Sequence, residues 1–165
     1  MTESIYKCIV FDYYGTLFNP LRQSASISKA IFFDGVQDLL KDLNNKQVLC
    51  ALATRTPIDV VKAQLQSAGL INYFACIKST ELGYDKPDPT VLNEILLELG
   101  VIPKDALMVG DSISDLAFGH NAGVDSMFVN FNEYNIDSNM LAEINKYTNF
   151  PIMKDITQLT DFLRR

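Results

Sequence analysis

The chain has 165 residues, a formal net charge of −6, 48% hydrophobic residues and 21% charged residues. One domain of this length buries about two-thirds of the surface its unfolded chain exposes. The acidic balance argues against a general nucleic-acid binder, which needs basic surface to displace counterions, but leaves room for a small anionic substrate held by local donors and a metal.

The opening stretch "MTESIYKCIVF" has no basic region followed by a long apolar segment, so no signal peptide is expected. No apolar run approaches the roughly 20 residues of a membrane helix. Three cysteines, Cys8, Cys50 and Cys76, each lie in an apolar run without a closely spaced partner. That pattern predicts buried thiols in a reducing compartment, not a disulfide framework or a zinc site. The expectation is a cytoplasmic protein.

In chain order the predicted strands are 5–11, 47–54, 73–79, 106–111 and 125–130, with a weaker sixth at 151–156. The inner ones are almost wholly apolar, as strands covered on both faces are. Between them lie helical patterns with readable ends. In "TRTPIDVVKAQLQSAGL" Thr56 is a candidate cap, Pro57 suits the first helical position and Gly69 marks the stop. "PDPTVLNEILLELG" repeats the arrangement with Asp88, Pro89 and Gly100. In "DSISDLAFGHNAG" Ser112 and Asp115 have capping-box spacing and Gly123 ends the element. "GVQDLLKDLNNK" and "TQLTDFLRR" are amphipathic as well. Strands alternating with helices in this way predict a single α/β domain over 1–165. Its architecture would be three-layered and Rossmann-like, a parallel sheet with helices on both faces.

In such folds the ligand lies beyond the carboxyl ends of the strands. Asp12 follows the first strand, Thr54 ends the second, Lys86 lies in the loop after the third, and Asp111 follows the fourth. Brought together, these groups suit phosphoryl transfer. Asp12 and Asp111 could share Mg²⁺, which favours carboxylate and carbonyl oxygens. A free oxygen of Asp12 could then attack phosphorus. Thr54 and the backbone N–H groups near Tyr13 and Tyr14 could hold phosphate oxygens, and Lys86 could balance the gathered negative charge. Arg55 is either a substrate contact or a solvated surface arginine. His120, the only histidine, sits on the helix after Asp111 and reads as a packing or surface residue.

The segments "VFDYYGTLF", "ALAT", "KPDP" and "VGDSISD" resemble, in order, the four motifs of the haloacid dehalogenase-like hydrolase superfamily. The likeness covers nearly the whole chain. It implies Asp12 as nucleophile and metal ligand, Thr54 as phosphate-binding hydroxyl, Lys86 as charge-balancing lysine and Asp111 as metal ligand. Asp115 would be an outer acid that binds the metal or orients its waters, and Tyr14 would lend its backbone carbonyl to the metal.

The resemblance also places Tyr14 where most phosphatases of the superfamily carry a second aspartate. That acid protonates the leaving oxygen and later takes a proton from water. A phenol donates a hydrogen bond but is a poor base at neutral pH, so turnover is expected to be slow. The pattern "D-x-Y-G-T-L" is similar to the dehalogenase branch too, but the acids of "GDSISD" and the lack of a cap domain weigh against carbon–halogen hydrolysis.

Only 42 positions separate Asp12 from Thr54 and 32 separate Thr54 from Lys86, which leaves no room for an inserted cap at either usual place. An open crevice suits a phosphorylated small molecule, a phosphorylated macromolecule, or a neighbouring subunit acting as a lid. The first expectation is therefore a capless, Mg²⁺-dependent phosphatase-like hydrolase. The alternative is a weak or inactive binder of a phosphorylated ligand.

Overall fold

A computed structural model describes residues 5–22, 31–80 and 83–165. Five strands form one parallel sheet: β1 (Cys8–Phe11), β2 (Leu49–Thr54), β3 (Phe74–Ser79), β4 (Ala106–Gly110) and β5 (Asp125–Phe128). Their order is β3-β2-β1-β4-β5, so β2, β1 and β4 lie side by side at the centre. The helices are α1 (Val36–Asn45), α2 (Ile58–Ser67), α3 (Thr90–Leu99), α4 (Ile113–Asn121), α5 (Ser138–Ile144) and α6 (Ile156–Leu163).

Alternation along each strand sends successive side chains to opposite faces. Ile9, Phe11, Leu52, Leu107 and Val109 pack against buried residues of α1, α2 and α6. Cys8, Val10, Ala51, Ala53 and Met108 pack against α3 and α4. Both faces are covered, which is why the strands read as continuous apolar runs and why the three-layer expectation holds. Among the described residues there is no cap domain; the segment 18–32, where a cap would enter, lies partly outside them (23–30).

Several local expectations change. Pro57 does not occupy the first helical position: its backbone is extended (φ −51°, ψ 132°), so it stands just before α2. Thr56 makes no cap; its N–H instead bonds to Thr54 Oγ1 at 3.0 Å. Pro89 likewise precedes α3, while Asp88 still accepts the Thr90 N–H at 2.9 Å. The stretch 151–156 is not a strand. Only Met153 pairs, in a single parallel bridge to Val129, because Pro151 offers no N–H and Asp155 already caps α6. The second strand starts at Leu49 instead of 47, since Gln47 has φ 60°, outside the strand region. Helix α5 was not expected; Asp137 caps it by accepting the Met140 N–H.

All three cysteines are free and buried. Burial pushes the Cys8 and Cys50 thiols up to about 12 and that of Cys76 up to about 11.

Helix α4 packs directly on β4 and β5 at Gly119, which leaves no room for a side chain. A Cβ there would collide with Ser126 Oγ and stand 3.0 Å from Met108 Cβ. Ser126 is itself tied to the Leu116 carbonyl at 3.2 Å, so it yields only by losing that bond. Alanine gains about 1 kcal/mol of helix propensity over glycine, but overpacking costs about 1–3 kcal/mol. Gly119→Ala should therefore cost up to about 2 kcal/mol net and lower the thermal midpoint by up to about 8 °C in a calorimetric scan.

Candidate active site

The strand order brings the ends of β2, β1 and β4 together, so Thr54, Asp12 and Asp111 converge at one edge of the sheet. Asp12 extends the β1–β4 ladder by one bond, its N–H reaching the Val109 carbonyl at 2.9 Å. The chain then coils tightly: the Tyr13 carbonyl accepts from the N–H groups of Leu17 and Phe18 at 2.9 and 3.0 Å. The Tyr13 ring is fully buried and its hydroxyl donates to Gln64 Oε1 at 2.8 Å, which pins the loop to α2. Gly15 turns the chain at φ 78°, and a Cβ there would strike the Asp111 carboxylate. Glycine is thus required twice, for conformation and for space.

Lys86 binds the acids together. Its Nζ lies 2.7 Å from Asp12 Oδ1 and 2.8 Å from Asp115 Oδ1, over the Phe118 ring at 5.5 Å, with the side chain only 1% exposed. Burial alone would lower the Lys86 ammonium, and the facing carboxylates of Asp12 and Asp115 more than reverse this, holding it charged. Asp115 forms the expected capping box: its Oδ2 accepts from the N–H and hydroxyl of Ser112 at 3.1 and 2.8 Å, and its N–H donates back to Ser112 Oγ. Both of its oxygens are therefore engaged. Gly110 makes room for that carboxylate, since a Cβ there would overlap the Asp115 side chain.

Asp12, Asp111 and Asp115 each place an oxygen within 4.8 Å of the others'. Burial pushes the Asp12 carboxyl up, with Asp115 adding to this and Lys86 opposing it. Burial, followed by the neighbouring Asp12 and Asp115, pushes Asp111 up to about 8. Three acids beside one buried lysine leave excess negative charge when ionised, and the donors are all hard oxygens. That set fits a divalent cation of the Mg²⁺ type.

A cavity of about 410 Å³ is lined by Asp12, Tyr14, Thr54, Arg55, Lys86, Asp111 and Asp115, which is every predicted site residue except Tyr13. Tyr13 contributes a buried anchor through its ring and hydroxyl. Thr54 is buried, with Oγ1 oriented by the Thr56 N–H. Arg55 is neither loose nor simply solvated. Its Nε pairs with Asp85 at 2.6 Å, and its Nη2 donates to the Lys86 carbonyl and to Ser114 Oγ, each at 2.9 Å. His120 lies outside this cavity, its ring edge-on to Tyr147 at 5.6 Å.

Sequence reasoning missed Gly15 and Gly110 as space-makers, Thr16, whose hydroxyl reaches 3.4 Å toward Asp111, and the Asp85–Arg55–Ser114 brace. The Gly-Thr turn after Asp12 was a readable signal for the first and third. The brace joins distant loops and has no local signature.

A parallel sheet with acids after β1 and β4, and a buried lysine between them, defines an α/β protein with its candidate site at the carboxyl edge of the sheet. Residues 14–129 match the haloacid dehalogenase-like hydrolase family, and the chain belongs to it. Curated relatives include the phosphoglycolate phosphatase of Psychrobacter arcticus, 31% identical over 130 residues, covering 78% of this chain and 56% of the relative. The Vibrio vulnificus phosphoglycolate phosphatase is 32% identical over 112 residues, covering 65% of this chain and 47% of its own. The chain thus spans about half the length of these relatives. Among solved structures, a HAD-superfamily hydrolase from Ehrlichia chaffeensis superposes with a TM-score of 0.73 at 16% identity, covering 99% of this chain and 98% of that one. One from Geobacter sulfurreducens gives 0.70 at 16% identity, covering 97% of each. At that identity the likeness establishes the fold. No helix among the described residues is long and apolar enough to cross a membrane.

Proposed function

We propose that residues 1–165 form a single capless domain that hydrolyses phosphoric monoesters through an aspartyl-phosphate on Asp12. The observation that carries this reading is the buried cluster in which Lys86 joins Asp12 to Asp115 beside Asp111. The relatives' names add the class of substrate, a phosphorylated small molecule.

Lys86 holds Asp12 Oδ1 and fixes the carboxylate, leaving Oδ2 to attack phosphorus. The Asp12–phosphorus bond forms as the ester P–O bond breaks, and the alkoxide takes a proton from water. Water then attacks the aspartyl-phosphate, releasing inorganic phosphate and restoring the Asp12 carboxylate. Thr54 donates its hydroxyl proton to a phosphate oxygen, and N–H groups of the loop at Tyr13 and Tyr14 serve the same role. Asp12, Asp111 and the Tyr14 carbonyl would hold Mg²⁺, with Asp115 orienting its waters. When bound, the ion supplies positive charge that draws the phosphate in and stabilises the transition state. Arg55 ties its own loop to the Asp85–Lys86 loop and to the first turn of α4 while lining the same cavity.

Tyr14 stands where the resemblance places an acid–base aspartate, so the second step is slow and the phospho-enzyme accumulates. The same residue favours the second reading, a phospho-ligand binder with little turnover. A phosphorylated macromolecule or a covering subunit remains compatible with the open crevice.

The metal site is tested by a titration. The Asp111 carboxyl, raised to about 8, must lose its proton to bind a cation, so Mg²⁺ affinity should fall about tenfold per pH unit below that value. In the metal-free chain the folded state binds this proton more tightly than the unfolded state does. The contribution to stability is therefore present at about pH 4 and lost as pH rises to about 8. Added Mg²⁺ should raise the thermal midpoint clearly at pH 8.5 and barely at pH 6. A midpoint indifferent to Mg²⁺ at both pH values would count against the site.

A further inference from the structure

We propose that Tyr14, held in place by Phe18, forms a subsite for an aromatic leaving group, so that the preferred substrates are phosphomonoesters of uncharged, planar alcohols rather than esters carrying a second anion. The inference rests on the phosphohydrolase reading and names the substrate class of that same site.

Tyr14 lines the cavity beside Asp12, yet its side chain is not buried: the residue is 43% exposed. Its position is nevertheless well defined. The ring lies 4.6 Å from that of Phe18 at an interplanar angle of 48°, and Tyr13 meets it edge-on at 5.6 Å. Phe32 backs both Tyr13 and Phe18, at 6.1 and 6.2 Å. The backbone enforces the pairing, since the Gly15 N–H donates to the Phe18 carbonyl at 2.9 Å and the Phe18 N–H to that of Tyr13 at 3.0 Å. The Tyr14 ring thus stands in the wall of the crevice, backed by Phe18 and next to the carboxylate that would attack phosphorus. Such a surface gains most from another ring, through apolar burial and offset or edge-on packing.

The cavity's cations point the same way. A substrate with a carboxylate beside its phosphate needs a positive partner for that second charge. Among the described residues lining the cavity the cations are Arg55 and Lys86. Lys86 is held between Asp12 and Asp115, and Arg55 is paired with Asp85 and donates to the Lys86 carbonyl and Ser114. The Lys86 ammonium is thus committed to the two acids, and of Arg55 only Nη1 is outside these bonds, so the crevice offers a second anion one part of an already paired guanidinium and an aromatic group a whole ring.

Isothermal titration with unhydrolysable phosphonates in Mg²⁺ tests this, with inorganic phosphate as the reference ligand for each protein. Benzylphosphonate should bind about tenfold more tightly than ethylphosphonate, and phosphonoacetate no more tightly than ethylphosphonate. Tyr14→Phe should keep the benzyl preference. Tyr14→Leu and Phe18→Leu should reduce it to within about twofold, with folding checked by thermal melts. Equal binding of the benzyl and ethyl compounds, or tighter binding of phosphonoacetate, by a wild type that binds phosphate overturns the subsite and leaves the phosphohydrolase reading standing. A preference that survives in Tyr14→Leu overturns the assignment to this surface. Failure to bind phosphate or any phosphonate overturns both.

Discussion

Replacing Lys86 with methionine should destabilise the folded chain by about 3–5 kcal/mol, because it removes the ammonium that Asp12 and Asp115 share in a buried cluster. The lysine stem is as long as methionine and equally apolar, and packing over Phe118 is largely kept. What is lost is the charge. Two carboxylates that each lay within 2.8 Å of an ammonium are then left facing one another and Asp111. A small domain has a total stability of about 5–15 kcal/mol, so this change consumes a large part of it. Urea denaturation reads the effect directly. Because the cost comes from stranded charge, Lys86→Met combined with Asp115→Asn should recover part of the loss, whereas a packing defect would only deepen. Arginine should not rescue the site, since a planar fork does not fit a pocket with 1% side-chain exposure that holds a compact ammonium between two oxygens.

Tyr14→Asp should act in the opposite direction, raising hydrolysis of a phosphate ester in Mg²⁺ by about 10²–10⁴-fold, the usual worth of a positioned acid–base group. The side chain at this position already lines the cavity with Asp12, so a carboxylate there can reach both the leaving oxygen and the attacking water. The residue is 43% exposed and its main packing partner is Phe18, so stability should change by no more than about 1 kcal/mol. Esters with poor leaving groups should gain most, because they depend most on protonation. Rapid-quench experiments should show the aspartyl-phosphate accumulating in the wild type and clearing in the variant. The same change should abolish any aromatic preference, since it removes the exposed ring.

The fold and most of the site were legible because parallel β/α topology converts a linear signal into a spatial one. An apolar run ending in Asp12, Thr54 or Asp111 places its last polar residue at the same edge as the others, and the order β3-β2-β1-β4-β5 sets three of those ends side by side. Ser112 and Asp115 were readable as a capping box because that interaction is local, three residues apart. The contacts of Lys86 were not, since its partners lie 74 and 29 positions away. Arg55 failed for the same reason: nothing near it in sequence says that Asp85 and Ser114 will claim its guanidinium. Thr56 failed differently. Its cap was plausible by residue type, but Pro57 keeps extended backbone and the Thr56 N–H turns back to Thr54. The sixth strand failed because an apolar pattern signals burial and not pairing: only Met153 bridges to Val129, and the rest of 151–156 makes no ladder.

The central claim is that Asp12 is the nucleophile of a metal-assisted phosphohydrolase, and p-nitrophenyl phosphate hydrolysis by the wild type and Asp12→Asn, in Mg²⁺ and in EDTA, tests it most directly. The expected result is slow wild-type turnover that requires Mg²⁺ and is absent in Asp12→Asn. Turnover that persists in Asp12→Asn, or that is indifferent to EDTA, would contradict it.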